Sequence, residues 1–288
     1  MLTADQIDAY HRDGYLVLPG FKSAAEVAAL RQRALAIVDA FEPGERRNVF
    51  STSEQARQSV NADFMASAEG IQCFFEEEAF DPHGQLRQAK ALSINKIGHA
   101  MHDLDPVFER FSRNADLAAV AADLGLVDAR LWQAMYIFKQ PGIGGEVKWH
   151  QDASFLDTKP NSVTAFWFAL EDADRHNGCL WVLPGGQRGP LRERFERVTD
   201  ANGDLSDATR MVALDSTPWP ELADAVPVEV ASGSLVCFHG LLPHWSAPNR
   251  SARSRHAYTL HATDGRATYA AHNWLQRSAA LPVRGFSG

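Results

Sequence analysis

The sequence predicts a mainly β fold, a sandwich or barrel, with helices packed on it from the N-terminal side. Three observations lead there. Beyond residue 130 the chain becomes a series of short aromatic and β-branched runs separated by turn residues. Before residue 130 the apolar spacing is helical, with capping signals at the helix starts. The composition, 45% hydrophobic and 22% charged over 288 residues, is that of a globular protein and excludes a disordered or fibrous chain. This length fits one elaborated β domain as well as two small domains. The linkers are short and no repeat is visible, so a single domain over 1–288 is expected, with about 1–125 as helical support and cover and about 130–265 as the β core.

Thr3 and Gln6 form a capping box for a first helix, which Gly14 stops. Tyr15 to Gly20 reads as a short strand closed by a turn. Ser23 and Glu26 open a second, Ala-rich helix that runs to about Phe41. Residues 42–90 are polar and irregular, and a loop of that length often covers a site. Its acidic run, Glu76-Glu77-Glu78, is expected to be a solvated face. A further helical stretch has Pro106 in its first turn and Leu117, Val120 and Leu124 on one face. The strand runs are Leu131–Phe138, Val147–Phe155, Val163–Leu170, Cys179–Leu183, Leu235–His239 and Arg255–His261. Asn177-Gly178, between two of them, signals a hairpin. Arg188, Arg192, Arg194 and Arg197, interleaved with Glu193 and Glu196, are expected to form an exposed, ion-paired helix.

The net charge of −8 argues against a sequence-independent nucleic-acid binder, which needs clustered Lys and Arg. Cys73, Cys179 and Cys237 are widely spaced and make no CxxC, so neither a disulfide framework nor a thiolate zinc site is expected. Charged residues Asp5, Asp8 and Arg12 are unlike a secretory signal, and no apolar run is long enough to span a bilayer. The expectation is a soluble, cytoplasmic protein with a small-molecule substrate and neither a nucleic-acid nor a membrane partner.

Chance alone supplies about 0.8 His-x-Asp triplets among 11 His and 21 Asp in 288 residues, and two occur. His11 and Asp13 end a helix, where positions two apart point about 200° from each other and cannot share an ion. His150 and Asp152 lie in a strand-like run, where such positions share a face. They supply two of the three ligands of a 2-His-1-carboxylate site, which holds Fe(II) and leaves positions open. The third is expected from a distant strand, and spacing does not choose between His239 and His244. Arg255, eleven residues after His244, stands where its planar fork can meet a carboxylate. A dicarboxylate that chelates iron at one end and meets Arg255 at the other is 2-oxoglutarate.

His150-x-Asp152, His244-x-Ser246, Asn249 and Arg255, in that order, resemble the phytanoyl-CoA dioxygenase family of Fe(II)/2-oxoglutarate oxygenases. So do Ser93 to His99, Gln133 to Pro141, Glu171-Asp172-Ala173, Asn177 to Trp181 and Asn273 to Gln276. The resemblance spans about residues 3–283. It implies a double-stranded β-helix, the jelly roll of cupin-like proteins, with flanking N-terminal helices. By the same resemblance His150, Asp152 and His244 become the catalytic iron ligands, and Arg255 with Ser246 takes the far carboxylate of 2-oxoglutarate. Lys96, Met135 and Trp167 fall on positions lining the co-substrate pocket. Family members that halogenate lack the carboxylate ligand, so Asp152 implies hydroxylation-type chemistry with O2, yielding succinate and CO2. Many relatives have Pro-Gly-Ser-His where this chain reads Pro184-Gly185-Gly186-Gln187, which leaves that segment's role open. Two other readings use the same ligands: a non-catalytic sensor of metal and 2-oxoglutarate, and a redox-inert metallohydrolase.

Overall fold

A computed structural model describes residues 1–44, 48–50, 62–200 and 202–286. Helix α1 (Ala4–Asp13) begins at the expected capping box, where Thr3 Oγ1 accepts from Gln6 N at 3.2 Å and Gln6 Oε1 accepts from Thr3 N at 2.8 Å. Gly14 ends it at φ 82°, a conformation open to glycine. Strand β1 (Tyr15–Leu18) follows, then α2 (Ala24–Ala40) under the Ser23/Glu26 box. Val27, Leu30, Ala34 and Val38 of α2 recur at helical spacing and are its buried stripe. The short α3 (Ala62–Ala66) comes next.

The single helical stretch expected after residue 100 is three helices: α4 (Met101–Leu104), α5 (Pro106–Ser112) and α6 (Ala115–Asp123). Pro106 has no N–H with which to continue α4. Asp105 caps α5 instead, its Oδ1 accepting from Val107 N at 3.0 Å. Asn114 caps α6 in the same way.

The larger sheet is antiparallel. It joins β1 to β2 (Ile71–Phe75), β3 (Ile94–His99), β4 (Ala129–Ile137), β7 (Thr164–Ala169), β12 (Leu235–His239) and β14 (Ala257–Asp264), in the order β1-β12-β7-β14-β4-β3-β2. The smaller sheet runs β11-β8-β13-β5, from β5 (Val147–His150), β8 (Leu180–Val182), β11 (Val226–Val228) and β13 (His244–Ser246). Two ribbons complete the set: β9 (Glu193–Thr199) with β10 (Leu205–Ala213), and β6 (Thr158–Lys159) with β15 (Thr268–Tyr269). The chain passes from the larger sheet to the smaller at β4 to β5, at β7 to β8 and at β12 to β13. That alternation is the expected double-stranded β-helix.

Strand parity builds two cores. On β7, Phe166 and Phe168 face the helices, among Leu30, Phe108, Phe111, Leu117 and Tyr258. Ala165, Trp167 and Ala169 face the smaller sheet, among Leu180, Val182, Val236 and Phe238. Phe108 is fully buried, with its ring 5.3 Å from Tyr258 and 6.3 Å from Tyr136. Phe108→Ala is expected to cost about 3–5 kcal/mol, read as a lower denaturant midpoint at unchanged m-value.

Three local expectations fail for identifiable reasons. Asn177-Gly178 makes no hairpin, because β7 and β8 belong to different sheets. Gly178 alone of the pair has positive φ, and the Asn177 side chain holds the crossover by bonding Asp174 N, Asp172 O and Ser254 O. The Arg/Glu segment is strand β9, not a helix. Arg194 and Glu196, two apart, share a face and pair at 2.8 Å, and Arg210 of β10 reaches the same Glu196. Glu76 is fully buried rather than solvated: its Oε2 accepts from Asn95 Nδ2 at 2.7 Å and from Gly145 N at 3.1 Å, and burial raises its pKa. The 42–90 segment is not irregular throughout, since it holds α3 and strand β2 of the larger sheet, while residues 45–47 and 51–61 lie outside the described ones. Among the described residues, no helix is long and apolar enough to cross a membrane.

Candidate functional site

The site lies between the two sheets, where β5 ends and β13 begins. His150 and His244 are cross-strand partners on those neighbouring strands, and their ring centroids are 4.0 Å apart. The strand stops at His150, and Asp152 opens a 3₁₀ turn (Asp152–Ser154) held by Ala153 N bonding Gly240 O at 2.9 Å. One ligand atom from each of His150, Asp152 and His244 lies within 4.8 Å of the others. Asp152 Oδ1 is 3.7 Å from both imidazole Nε2 atoms.

The protonation pattern follows from what surrounds the rings. His150 Nδ1 is 2.8 Å from Lys148 O, and His244 Nδ1 is 3.0 Å from Leu242 O. A carbonyl only accepts, so both Nδ1 atoms carry a proton, and both Nε2 atoms face Asp152 Oδ1. Burial, helped by His244 and opposed by Asp152, takes the His150 pKa down to about 3, which keeps the imidazole neutral. For Asp152, burial alone would raise the pKa, but His261 and His244 outweigh it and hold the carboxylate ionised. Two imidazole Nε2 atoms and a carboxylate oxygen that converge in this way are a donor set suited to a divalent metal ion.

Sequence reasoning missed His261. Its Nε2 lies 3.0 Å from Asp152 Oδ2, and its Nδ1 lies 2.9 Å from Gln133 Nε2. Gln133 thus donates to His261, and His261 Nε2 faces the carboxylate oxygen that the other two imidazoles do not, without forming a hydrogen bond to it. Strand parity gave only part of the signal: it puts His261 on the same face as Arg255 but does not say what lies opposite.

A cavity of about 170 Å³ opens from this cluster, and Arg255, Ser246, Lys96, Met135 and Trp167 all line it with the three ligand candidates. Arg255 is fully buried, and its Nε donates to Gly178 O at 3.0 Å while its guanidinium lies 5.3 Å from the Trp167 ring. Burial lowers its pKa to about 10, so it stays charged near neutrality. Its Nη1 has no hydrogen-bond partner, and no carboxylate of the described residues forms an ion pair with it. A cation so placed suits the carboxylate of a ligand. Ser246 Oγ donates to the same Gly178 O at 2.9 Å. Gly178 is required there: its φ is 84°, and a Cβ would sit 2.8 Å from Ala247 O. Lys96 Nζ lies 3.6 Å from the Phe50 ring centroid and 3.9 Å from Met135 Sδ, and burial takes its pKa down to about 7.

His239, the other candidate third ligand, is not in this cluster. It faces a second cavity of about 400 Å³ with Tyr10, His11 and Arg266, and its Nδ1 accepts from Leu241 N at 3.0 Å. Gln187 also packs elsewhere, its Nε2 donating to His11 O at 3.0 Å at the end of α1.

The sequence profile of the family described as Phytanoyl-CoA dioxygenase (PhyH) matches residues 10–257. Phytanoyl-CoA dioxygenase 1 of Oryza sativa subsp. japonica is 47% identical over 278 residues, which cover 96% of this chain and 94% of that protein. Phytanoyl-CoA dioxygenase domain-containing protein 1 of Bos taurus is 42% identical over 287 residues, covering 98% of this chain and 97% of that one. A crystal structure of EctD from S. alaskensis with 2-oxoglutarate and 5-hydroxyectoine has the same fold, with TM-score 0.64 and 24% identity over 98% of this chain and 87% of that chain. With its motifs, its jelly roll and a relative nearly half identical along its whole length, the chain belongs to the phytanoyl-CoA dioxygenase family.

Proposed function

We propose that this protein is an Fe(II)- and 2-oxoglutarate-dependent dioxygenase that hydroxylates a small-molecule or acyl substrate, releasing succinate and CO2. The observation that carries this reading is one cavity that joins a convergent His-Asp-His cluster to an arginine buried without an acidic partner among the described residues. The names of the relatives from Oryza sativa and Bos taurus support the same activity. When bound, Fe(II) with O2 and 2-oxoglutarate supplies the oxidising chemistry.

The residues divide the remaining work. His150, His244 and Asp152 Oδ1 hold the metal. His261 Nε2, 3.0 Å from Asp152 Oδ2, would favour leaving Oδ1 as the oxygen that holds the metal. Arg255 anchors the far carboxylate of 2-oxoglutarate, with Ser246 beside it. Lys96, Met135 and Trp167 complete the co-substrate wall, and Phe155, Phe195 and Trp274 line the cavity with apolar surface that excludes water. Asp152 favours hydroxylation over halogenation by filling the position a halide would need. Residues 1–288 act as one oxygenase domain in the cytoplasm, and Phe50 and Phe64 of the 42–90 segment line the cavity.

His261→Ala is expected to weaken Fe(II) binding about 10–100-fold in anaerobic equilibrium dialysis, although all three ligands remain. Unchanged affinity would remove His261 from the site. The function itself is tested by incubating wild-type protein with Fe(II), 2-oxoglutarate and air and following succinate. Oxygen-dependent succinate release above the protein-free rate is expected. Tight 2-oxoglutarate binding without succinate would mean a sensor, and hydrolytic activity that survives oxygen removal would mean a metallohydrolase.

A further inference from the structure

The side chains of β14 that face the smaller sheet continue the row that Arg255 begins. They are Ala257, Thr259 and His261, and two of the four are accounted for: Arg255 meets Gly178 O, and His261 meets Asp152. Thr259 is not. It is buried at 3% exposure, it lines the cavity that opens from the ligand cluster, and its Oγ1 has no hydrogen-bond partner among the described residues. Buried hydroxyls are rarely left so. Thr263 of the same strand, by contrast, accepts from Trp132 Nε1 at 2.8 Å.

The neighbours explain why none of the described residues satisfies it. Thr259 pairs in register with Met135 on β4 and with Trp167 on β7, so apolar side chains stand on both sides. Its own backbone is taken up by the ladders to those two strands, which leaves the cavity as the direction from which a partner can come. The Arg255 guanidinium lies over the ring of Trp167, the cross-strand neighbour of Thr259, and its Nη1 is likewise without a partner. The two unsatisfied donors lie on the same face of one wall with only the small Ala257 between them, and the oxygens of a carboxylate can accept from both.

We propose that Thr259 is a further co-substrate contact, its hydroxyl donating a hydrogen bond to the carboxylate that Arg255 anchors. This rests on the 2-oxoglutarate reading above. Thr259→Val keeps the shape and removes the hydroxyl, so a donor to the ligand and a structural hydroxyl behave differently. In the ligand-free protein the Val variant is expected to melt no lower than wild type, because an unsatisfied buried hydroxyl is replaced by a methyl. In anaerobic titration of the Fe(II)-loaded protein, the dissociation constant for 2-oxoglutarate is expected to rise about 10–100-fold, with Fe(II) affinity unchanged. Thr259→Ser should return it to near the wild-type value. A Val variant with wild-type 2-oxoglutarate affinity would overturn the proposal, and a lowered melting temperature with unchanged affinity would mark the hydroxyl as structural. Thr259→Ala gives the same readout if the Val variant does not fold. Absence of saturable 2-oxoglutarate binding by the wild-type protein would instead overturn the parent reading.

Discussion

Asp152→Ala and His150→Ala are each expected to take iron-dependent succinate formation to background, a loss of more than about 100-fold. That bound follows from outer partners of metal ligands, whose loss alone costs about 10–100-fold; a ligand itself should cost more. Each variant leaves two donors where three converge within 4.8 Å. Asp152→Ala also leaves His261 Nε2 without the oxygen it faces at 3.0 Å. His150→Ala removes the imidazole whose Nε2 faces Asp152 Oδ1 at 3.7 Å. Turnover is compared at matched bound iron and with melting curves that exclude unfolding. Wild-type rates in either variant would sink the metal assignment.

Arg255→Ala is expected to raise the half-saturating concentration of 2-oxoglutarate about 30-fold or more, with a smaller effect on the rate at saturation. Removing one partner of a buried charge pair typically costs about 2 kcal/mol or more, and about 1.4 kcal/mol is tenfold. Arg255 is fully buried and lacks an acidic partner of its own among the described residues, so the ligand carboxylate would lose its main anchor. Arg255→Lys should recover only part of the loss, since an ammonium cannot offer two parallel donors or hold Gly178 O through Nε in the same way. An unaltered dependence on 2-oxoglutarate in Arg255→Ala would count against the role.

The site was legible in the sequence to different depths. His150 and Asp152 were found by their spacing, although the strand that justified it stops at His150 and a 3₁₀ turn brings the carboxylate round. His239 and His244 could not be separated by spacing. The sheet crossover from β12 to β13 separates them, sending one to each cavity. His261 and Thr259 were visible only as residues of a strand, because their roles depend on which strand lies opposite, and a single chain's local pattern does not carry that. The same limit explains the Asn177-Gly178 turn and the Arg194/Glu196 strand, where local chemistry was read correctly but its tertiary setting was not. Capping boxes and strand runs were read well because their causes lie within a few residues.

The most direct measurement is the visible absorption of the anaerobic protein titrated first with Fe(II) and then with 2-oxoglutarate. A weak charge-transfer band that appears only when both are present, and that is lost in Asp152→Ala, is the result this account predicts. Fe(II) bound at the His150-Asp152-His244 cluster with no band at any 2-oxoglutarate concentration would contradict it.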